Sequence, residues 1–203
     1  MPNYVICAEN ITREEVLQAA VIHRREMRQG FLGTLGDRAL EMVFSFACAS
    51  CAGVLLIAKD GANGPVCGFA LGALNTGAFY RDFLVRKSFS AVIALFPKLF
   101  SLKRIIKICE TLVYPLKKDL RDLPKAELIA IALAEQHRGA GLAQLLFHAF
   151  SSMLSERGIA EFKITTGEAL LHAQRFYEKL GAKRIRSIEV YKGRKAVVYT
   201  YFT

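Results

Sequence analysis

A chain of 203 residues holds one well-cored domain and is too short for two of ordinary size, so residues 1–203 are read as a single domain. Its composition, 53% hydrophobic and 23% charged with a mean hydropathy of +0.26, excludes disorder, and its net charge of +10 calls for an anionic partner or ligand. The longest uncharged stretch, Met42 to Ala58, falls short of the ~18 residues of a membrane-spanning helix, and MPNYVICAEN at the start lacks the basic head and apolar body of an export signal, so a cytoplasmic protein is expected.

Tyr4 to Ala8 is short and apolar, as an edge strand would be. Thr12 with Glu15 forms a capping box for a helix from Arg13 carrying Val16, Leu17, Ala20 and Val21 on one face and fraying near Gln29-Gly30. Asp37 is a candidate cap for a second helix with Leu40, Phe44 and Ala47 on one side. Val54 to Ala58 and Val66 to Leu74 flank KDGANGP, whose Gly, Asn and Pro favour a turn, so a β-hairpin is expected.

A basic segment follows, with eleven Lys and Arg against four Asp and Glu between Arg81 and Lys125. Leu99, Leu102, Ile106, Cys109 and Val113 repeat at threes and fours with Lys103, Lys107 and Glu110 opposite, which predicts an amphipathic helix, and Pro97, Pro115 and Pro124 punctuate the segment. Ala126 to Ala134 is apolar beyond Glu127, as a strand buried on both faces would be. Leu142, Leu145, Leu146, Ala149, Phe150, Met153 and Leu154 then mark a helix closed by Gly158. AEFKITT reads as a strand, EALLHAQRFYEKLG as a helix ending at Gly181, and Arg184 to Phe202 as two strands turning at Lys192-Gly193.

The five cysteines, Cys7, Cys48, Cys51, Cys67 and Cys109, are odd in number and scattered, which in a reducing compartment predicts buried thiols; Cys48 and Cys51 form a CxxC with no second pair to complete a zinc site. His23, His137, His148 and His172 show no metal-ligand spacing, so no metal is expected; His148 falls on the polar side of its helix.

A buried strand passing through HRGAG into a helix aims free backbone N–H groups and the positive end of the helix dipole at one point, where an anion binds. Gly139 and Gly141 permit unusual backbone angles and close approach of a ligand to the amides. The same residues also suit a tight strand-to-helix turn that binds nothing. The stretch lacks the Lys-Ser/Thr ending of a Walker loop and the spacing of a dinucleotide fingerprint.

Arg138-Gly139-Ala140-Gly141-Leu142-Ala143 resembles the R/Q-x-x-G-x-G/A signature of the GNAT (Gcn5-related) N-acetyltransferases. Gln136-x-x-Gly139-x-Gly141 fits it in a shifted register, the first being preferred because Leu145-Leu146 then falls where the family has its helix leucines. AQRFYEKLGA from Ala173 to Ala182 resembles that superfamily's A-x-x-F-Y-x-x-x-G-F element. The motifs span 126 to 182 and lie in the family's order. The resemblance implies an α/β (α+β) fold: a mixed, mostly antiparallel sheet of six to seven strands flanked by helices, here with a helical insertion at about 80–125 between strands 3 and 4. It implies acetyl-CoA as cosubstrate, with the pantetheine arm along Ile131, Ala132 and Leu133 and the pyrophosphate on the amides of Arg138, Gly139, Ala140, Gly141, Leu142 and Ala143. A primary amine then attacks the thioester directly.

Tyr177 matches the family's general acid for the leaving thiolate. Donation from a phenol near pKa ~10 to a thiolate whose acid lies near ~8.5 is uphill in water, so the site must assist. A core tyrosine is the alternative. Glu127, six residues before Leu133, matches the glutamate base of the histone-modifying branch; the alternatives are water-mediated deprotonation and a solvated strand end. Two departures leave the substrate side open: Leu170 stands where the family often has asparagine, and Ala182 where it has an aromatic.

The basic segment lies where simple relatives have a short connection. It reads as a phosphate-recognising lid for an amino sugar or nucleotide-linked amino sugar, as a peripheral contact with anionic membrane through residues 80–125, or as a solvated helical face. GFLGTLGDRALEMVF resembles stretches in relatives from polysaccharide and amino-sugar pathways. Nucleic acid is not expected, since no aromatic-interleaved basic stripe is present. A homodimer is left open, as is a noncatalytic CoA-binding or membrane-peripheral module that keeps the fold.

Overall fold

The computed structural model describes residues 4–27, 37–95, 122–191 and 193–203. Its strands are β1 (Tyr4–Cys7), β2 (Gly53–Asp60), β3 (Val66–Ala73), β4 (Glu127–Leu133), β5 (Glu161–Gly167), β6 (Lys183–Tyr191) and β7 (Arg194–Phe202). They form one sheet in the order β1-β2-β3-β4-β5-β7-β6. Every pairing is antiparallel except β4 with β5. This is the mixed, mostly antiparallel architecture that the sequence implies, with the first strand at the sheet's edge.

Helix α1 (Arg13–Glu26) starts as predicted: the Thr12 side chain accepts from the Glu15 N–H, and the Glu15 carboxylate accepts from the Thr12 N–H at 2.8 Å. It ends at a Met27 cap, while Gln29-Gly30 lies outside the described residues. Helix α2 (Asp37–Ala49) corrects one expectation. Asp37 is its first helical residue, not its cap; its carboxylate sits at the positive end of the dipole and pairs with Arg24 at 2.6 Å.

Both faces of the central strands are covered, which is why β3 is buried throughout and reads as an unbroken apolar run. On one face α1 and α2 pack Val16, Phe44 and Phe46 against Ile57 and Phe69. On the other, α4 (Leu142–Glu156) and α5 (Leu171–Lys179) pack Leu146, Phe147, Phe150 and Tyr177 against Leu128, Phe162 and Tyr199. Each large side chain so buried contributes roughly 1.5–3 kcal/mol before conformational entropy is counted. Gly158 and Gly181 close α4 and α5 with φ of +73° and +93°, as the sequence predicts.

The buried-thiol expectation holds for Cys67 and fails for the CxxC: Cys48 and Cys51 are exposed and Cys7 is intermediate. Cys48 lies on the outward side of the last turn of α2 and Cys51 in the short turn before β2, so neither points into the core. Cys109 is outside the described residues. The insertion between β3 and β4 begins at Thr76, earlier than expected, with α3 (Thr76–Leu95). The amphipathic repeat from Leu99 to Val113, Pro97, Pro115 and the Lys192 half of the last turn also lie outside the described residues.

Two irregularities shape the middle of the sheet. The β3–β4 register shifts between Leu71 and Gly72, whose partners are Ala130 and Leu128, so Ile129 is an extra residue that bends β4. The parallel β4–β5 ladder contains only Glu127↔Lys163 and Leu128↔Ile164. Beyond it β4 continues against β3 to Leu133 and β5 against β7 to Gly167. The two strands therefore diverge from a closed end at Glu127 to an open end at Leu133.

Candidate functional site

At the open end, β4 leads through the short 3₁₀ turn Glu135–His137 into Arg138–Gly141 and α4. Gly139 and Gly141 have φ of +81° and +77°, a left-handed region that costs a residue with a side chain roughly 1–2 kcal/mol. A Cβ at either would meet nothing within 4 Å, so the glycines serve the backbone turn, and the space beside the loop stays open. Gly141, the N-cap residue, supplies no side-chain cap. The first backbone bond into the helix is from the Leu145 N–H to the Gly141 carbonyl at 3.1 Å, and the N–H groups of residues 139 to 144 have no partner among the described residues. Unpaired amides at the positive end of a helix dipole form an anion seat.

The side chains around this turn hold it in place. His137 Nδ1 lies 3.2 Å from the Tyr4 hydroxyl, with the rings edge to face at 5.8 Å, which ties the turn to the N-terminal strand. The Arg138 guanidinium is ion-paired with Glu26, the last residue of α1, instead of lying over the loop. Ile131 and Leu133 turn toward the α4 side and Ala132 toward the α1 side, so the β4 edge facing the divergence offers backbone groups with no ladder partner on β5.

Tyr177 sits on α5 with its ring packed among Phe147, Phe176 and Tyr199, at centroid distances of 6.3, 5.3 and 6.3 Å. Burial raises its pKa well above the ordinary phenol value, so it keeps its proton through the neutral range. The hydroxyl has no hydrogen-bond partner among the described residues and is not sealed from the surface. Gln174 fixes the start of α5 by donating from Nε2 to the carbonyls of Gly167 at 3.3 Å and Glu168 at 2.7 Å, which anchors the helix to the end of β5. Of the two departures, Leu170 is exposed at the head of α5 and Ala182 is buried. His148 is exposed.

Glu127 occupies the closed end and is 5% exposed, not a solvated strand end. Thr165 Oγ1 donates to its Oε1 at 3.0 Å, and Thr76 Oγ1 lies 3.1 Å from its Oε2. Lys163 Nζ stands 3.5 Å from the same Oε2. Lys163, Thr76 and Thr165 carry no motif that marks them in the sequence as partners of Glu127. The only signal for Lys163 was a lone cation amid Phe162 and Ile164, which also fits a strand with one solvent face.

Among the described residues no group of three His, Cys, Asp or Glu side chains is placed to hold a metal ion, and no helix is long and apolar enough to cross a membrane. The structure brings Ile131–Leu133 and Arg138–Ala143 together along one path from the divergence to the anion seat. Tyr177 on α5 belongs to the same apolar cluster as Leu133, Leu142 and Leu146, and Glu127 lies at the path's far end.

The family model described as Acetyltransferase (GNAT) family matches residues 107–182, a span that holds β4, the glycine turn, α4, β5 and α5. Solved structures extend the likeness to the whole chain. SsHAT aligns at 19% identity and a TM-score of 0.67, with 99% of this chain and 98% of that one covered. Arabidopsis thaliana NAA60 in complex with acetyl-CoA aligns at 14% identity and a TM-score of 0.58, with 98% of each covered. The ribosomal-protein-S18-alanine N-acetyltransferase from Escherichia coli aligns at 13% and 0.58, covering 98% of this chain and 94% of that one. No curated protein matches. The likeness read from the two motifs is thus met by the family model over residues 107–182, and the fold of these solved structures is shared along the chain.

Proposed function

We propose that this chain is an acetyl-CoA-dependent N-acetyltransferase that acts on a small primary amine, with an amino sugar or nucleotide-linked amino sugar as the acceptor class. The observation that carries this reading is the run of unpartnered amides from 139 to 144 at the mouth of the β4/β5 divergence. Those amides suit a pyrophosphate, although Arg138 at the loop's start is engaged, its N–H with the Glu135 carbonyl and its guanidinium with Glu26, and the free edge of Ile131–Leu133 suits an amide-bearing arm laid down as an added strand. Acetyl-CoA has both parts. The Acetyltransferase (GNAT) match and the acetyl-CoA complex of NAA60 support the same assignment.

The residues then divide the proton work. A neutral amine forms its bond to the thioester carbonyl carbon as the bond to sulfur breaks. Tyr177, kept protonated by burial, supplies a proton to the departing thiolate; burial also makes the phenol a weaker acid, so the transfer depends on the thiolate losing its own solvation in the same site. Glu127 is assigned the proton lost by the acceptor ammonium, directly or through water. Its two hydroxyl partners and the nearby Lys163 fix the direction of its carboxylate.

The test is calorimetric titration of acetyl-CoA into the wild type and Gly141→Glu, followed by a screen of amino sugars for release of free thiol. Binding by the wild type that is lost in the variant, with thiol release on adding an amine, supports the reading. Binding without release to any amine would turn it into a noncatalytic CoA-binding protein. No binding at all would remove the site.

A further inference from the structure

Lys163 lies on β5, 5% exposed, directly across the parallel register from Glu127. A buried ammonium needs acceptors for its protons. Lys163 Nζ donates to the Pro124 carbonyl at 2.7 Å and to Thr76 Oγ1 at 3.4 Å, and stands 3.5 Å from Glu127 Oε2. Two of these acceptors are the two ends of one segment: Thr76 opens α3 where the chain leaves the sheet, and Pro124 lies just before it returns as β4. The ends are also joined to each other, because the Thr76 N–H donates to the Lys125 carbonyl at 2.9 Å and Thr76 Oγ1 lies 3.0 Å from the same oxygen.

The Thr76 hydroxyl has one proton to share between the Lys125 carbonyl and Glu127 Oε2, while it accepts from Lys163. Movement of the first root therefore reaches the Glu127 carboxylate through the Thr76 hydroxyl, and movement of the second through that hydroxyl's bond to Lys125 and through Lys163, which holds the Pro124 carbonyl. One turn into α3, burial and then the charge of Glu127 raise the Tyr80 pKa far above the phenol value, so this turn packs within the field of the carboxylate.

We propose that Lys163 is a positioning residue for the acceptor side of the site: it clasps both roots of the inserted segment to β5 and thereby aims Glu127. The catalytic half of this proposal rests on the acetyl transfer inferred above; the clasp itself does not. An ordinary buried ion pair would join two residues, whereas this ammonium joins a carboxylate to both ends of the segment that lies between β3 and β4.

The experiment compares the wild type with Lys163→Met and Lys163→Arg by amide hydrogen exchange, acetyl-CoA titration and steady-state transfer to glucosamine. In Lys163→Met, exchange rises together at 76–80 and 122–127, on the order of tenfold or more, and stays unchanged in the middle of α4. Its acetyl-CoA affinity stays within about twofold, while KM for the amine rises on the order of tenfold and kcat falls less. Lys163→Arg, which keeps a cation, recovers part of both effects. Exchange that rises at one root only, or at neither, overturns the clasp. Loosened roots with unchanged transfer kinetics overturn the positioning role. A wild type that binds acetyl-CoA but transfers to no amine refutes the transferase reading, and with it the catalytic half, while the exchange data still decide the clasp. Should Lys163→Met fail to fold, Thr76→Val removes the shared hydroxyl without stranding a charge and must loosen the same two roots.

Discussion

His23 gives the protein a measurable acid sensitivity that depends on its core and not on its site. The ring is 1% exposed, edge to face with Phe44 at 5.8 Å and tilted against Phe69 at 6.0 Å, and its Nδ1 has no partner among the described residues. Desolvation brings its pKa down from 6.5 to about 4. Because the folded value is depressed, the unfolded chain binds the proton first: stability is whole above pH 6.5 and is lost as pH falls toward 4. At pH 5 the loss is about 2 kcal/mol, approaching about 3 kcal/mol at lower pH, a sizeable part of the ~5–15 kcal/mol that holds a domain folded. Two other shifted groups act at lower pH. Glu15 is held low first by its hydrogen bond from Lys59, and Asp122 first by its hydrogen bond from Arg186. What these carboxylates contribute persists above their unfolded values of 4.5 and 3.8 and is lost only as pH falls further. Urea unfolding at pH 8 and pH 5 should therefore show a stability difference in the wild type that His23→Leu lacks, whatever the leucine does to stability at pH 8. Equal pH dependence in the two proteins would refute a buried, unpartnered, neutral imidazole.

Three further outcomes follow from the geometry. Tyr177→Phe removes only a hydroxyl without a partner among the described residues, so acetyl-CoA affinity by calorimetry should hold while kcat falls roughly 10²- to 10⁴-fold; an unchanged kcat would remove its role as acid. Gly141→Ala forces a side chain into a left-handed turn, which should lower thermal stability by roughly 1–2 kcal/mol and weaken acetyl-CoA binding in the same titration, since the loop carries the amides. Thr12→Ala breaks the capping box and should cost about 1 kcal/mol, a fall in Tm of roughly 2–4 °C for a chain of this size, with acetyl-CoA binding unaffected because α1 is held from its other end by the Glu26–Arg138 pair.

Local chemistry was legible in the sequence, and juxtaposition was not. The Thr12 and Glu15 cap, the KDGANGP hairpin, the strand running into HRGAG and the closing glycines each depend on residues a few positions apart, and each forms where the pattern puts it. Asp37 was misplaced by one position because an acidic residue satisfies both a cap and a first turn. Cys48 and Cys51 were misread because a thiol's burial depends on which way the end of α2 faces, and three residues of spacing do not settle that. The bulge at Ile129 left no trace, since an extra apolar residue within an apolar strand changes no pattern. Lys163, Glu127 and Thr76 come from three separate elements, and only the sheet register unites them.

Seen physically, the site is a pair of parallel strands with opposite requirements at its two ends. Two ladder positions make a weak parallel pairing, and the Ile129 bulge bends β4 where that pairing stops, so the closed end needs a tie that the backbone does not provide. The Glu127 and Lys163 side chains, with Thr76 and Thr165 completing their hydrogen bonds, provide it. At the open end the need is reversed. Backbone groups on the β4 edge have no ladder partner on β5 and the amides of the glycine loop have none among the described residues, and polar backbone left in that state is satisfied by water or by a ligand that brings its own donors and acceptors. A ligand with an amide-bearing arm and an anionic tail would meet both parts of that need along one line, and with its tail on the glycine loop the arm would run toward the tied end where Glu127 is held. Under the proposed function the divergence would link where a cosubstrate is held to where an amine loses its proton, and the buried lysine at the closed end matters to the second of these.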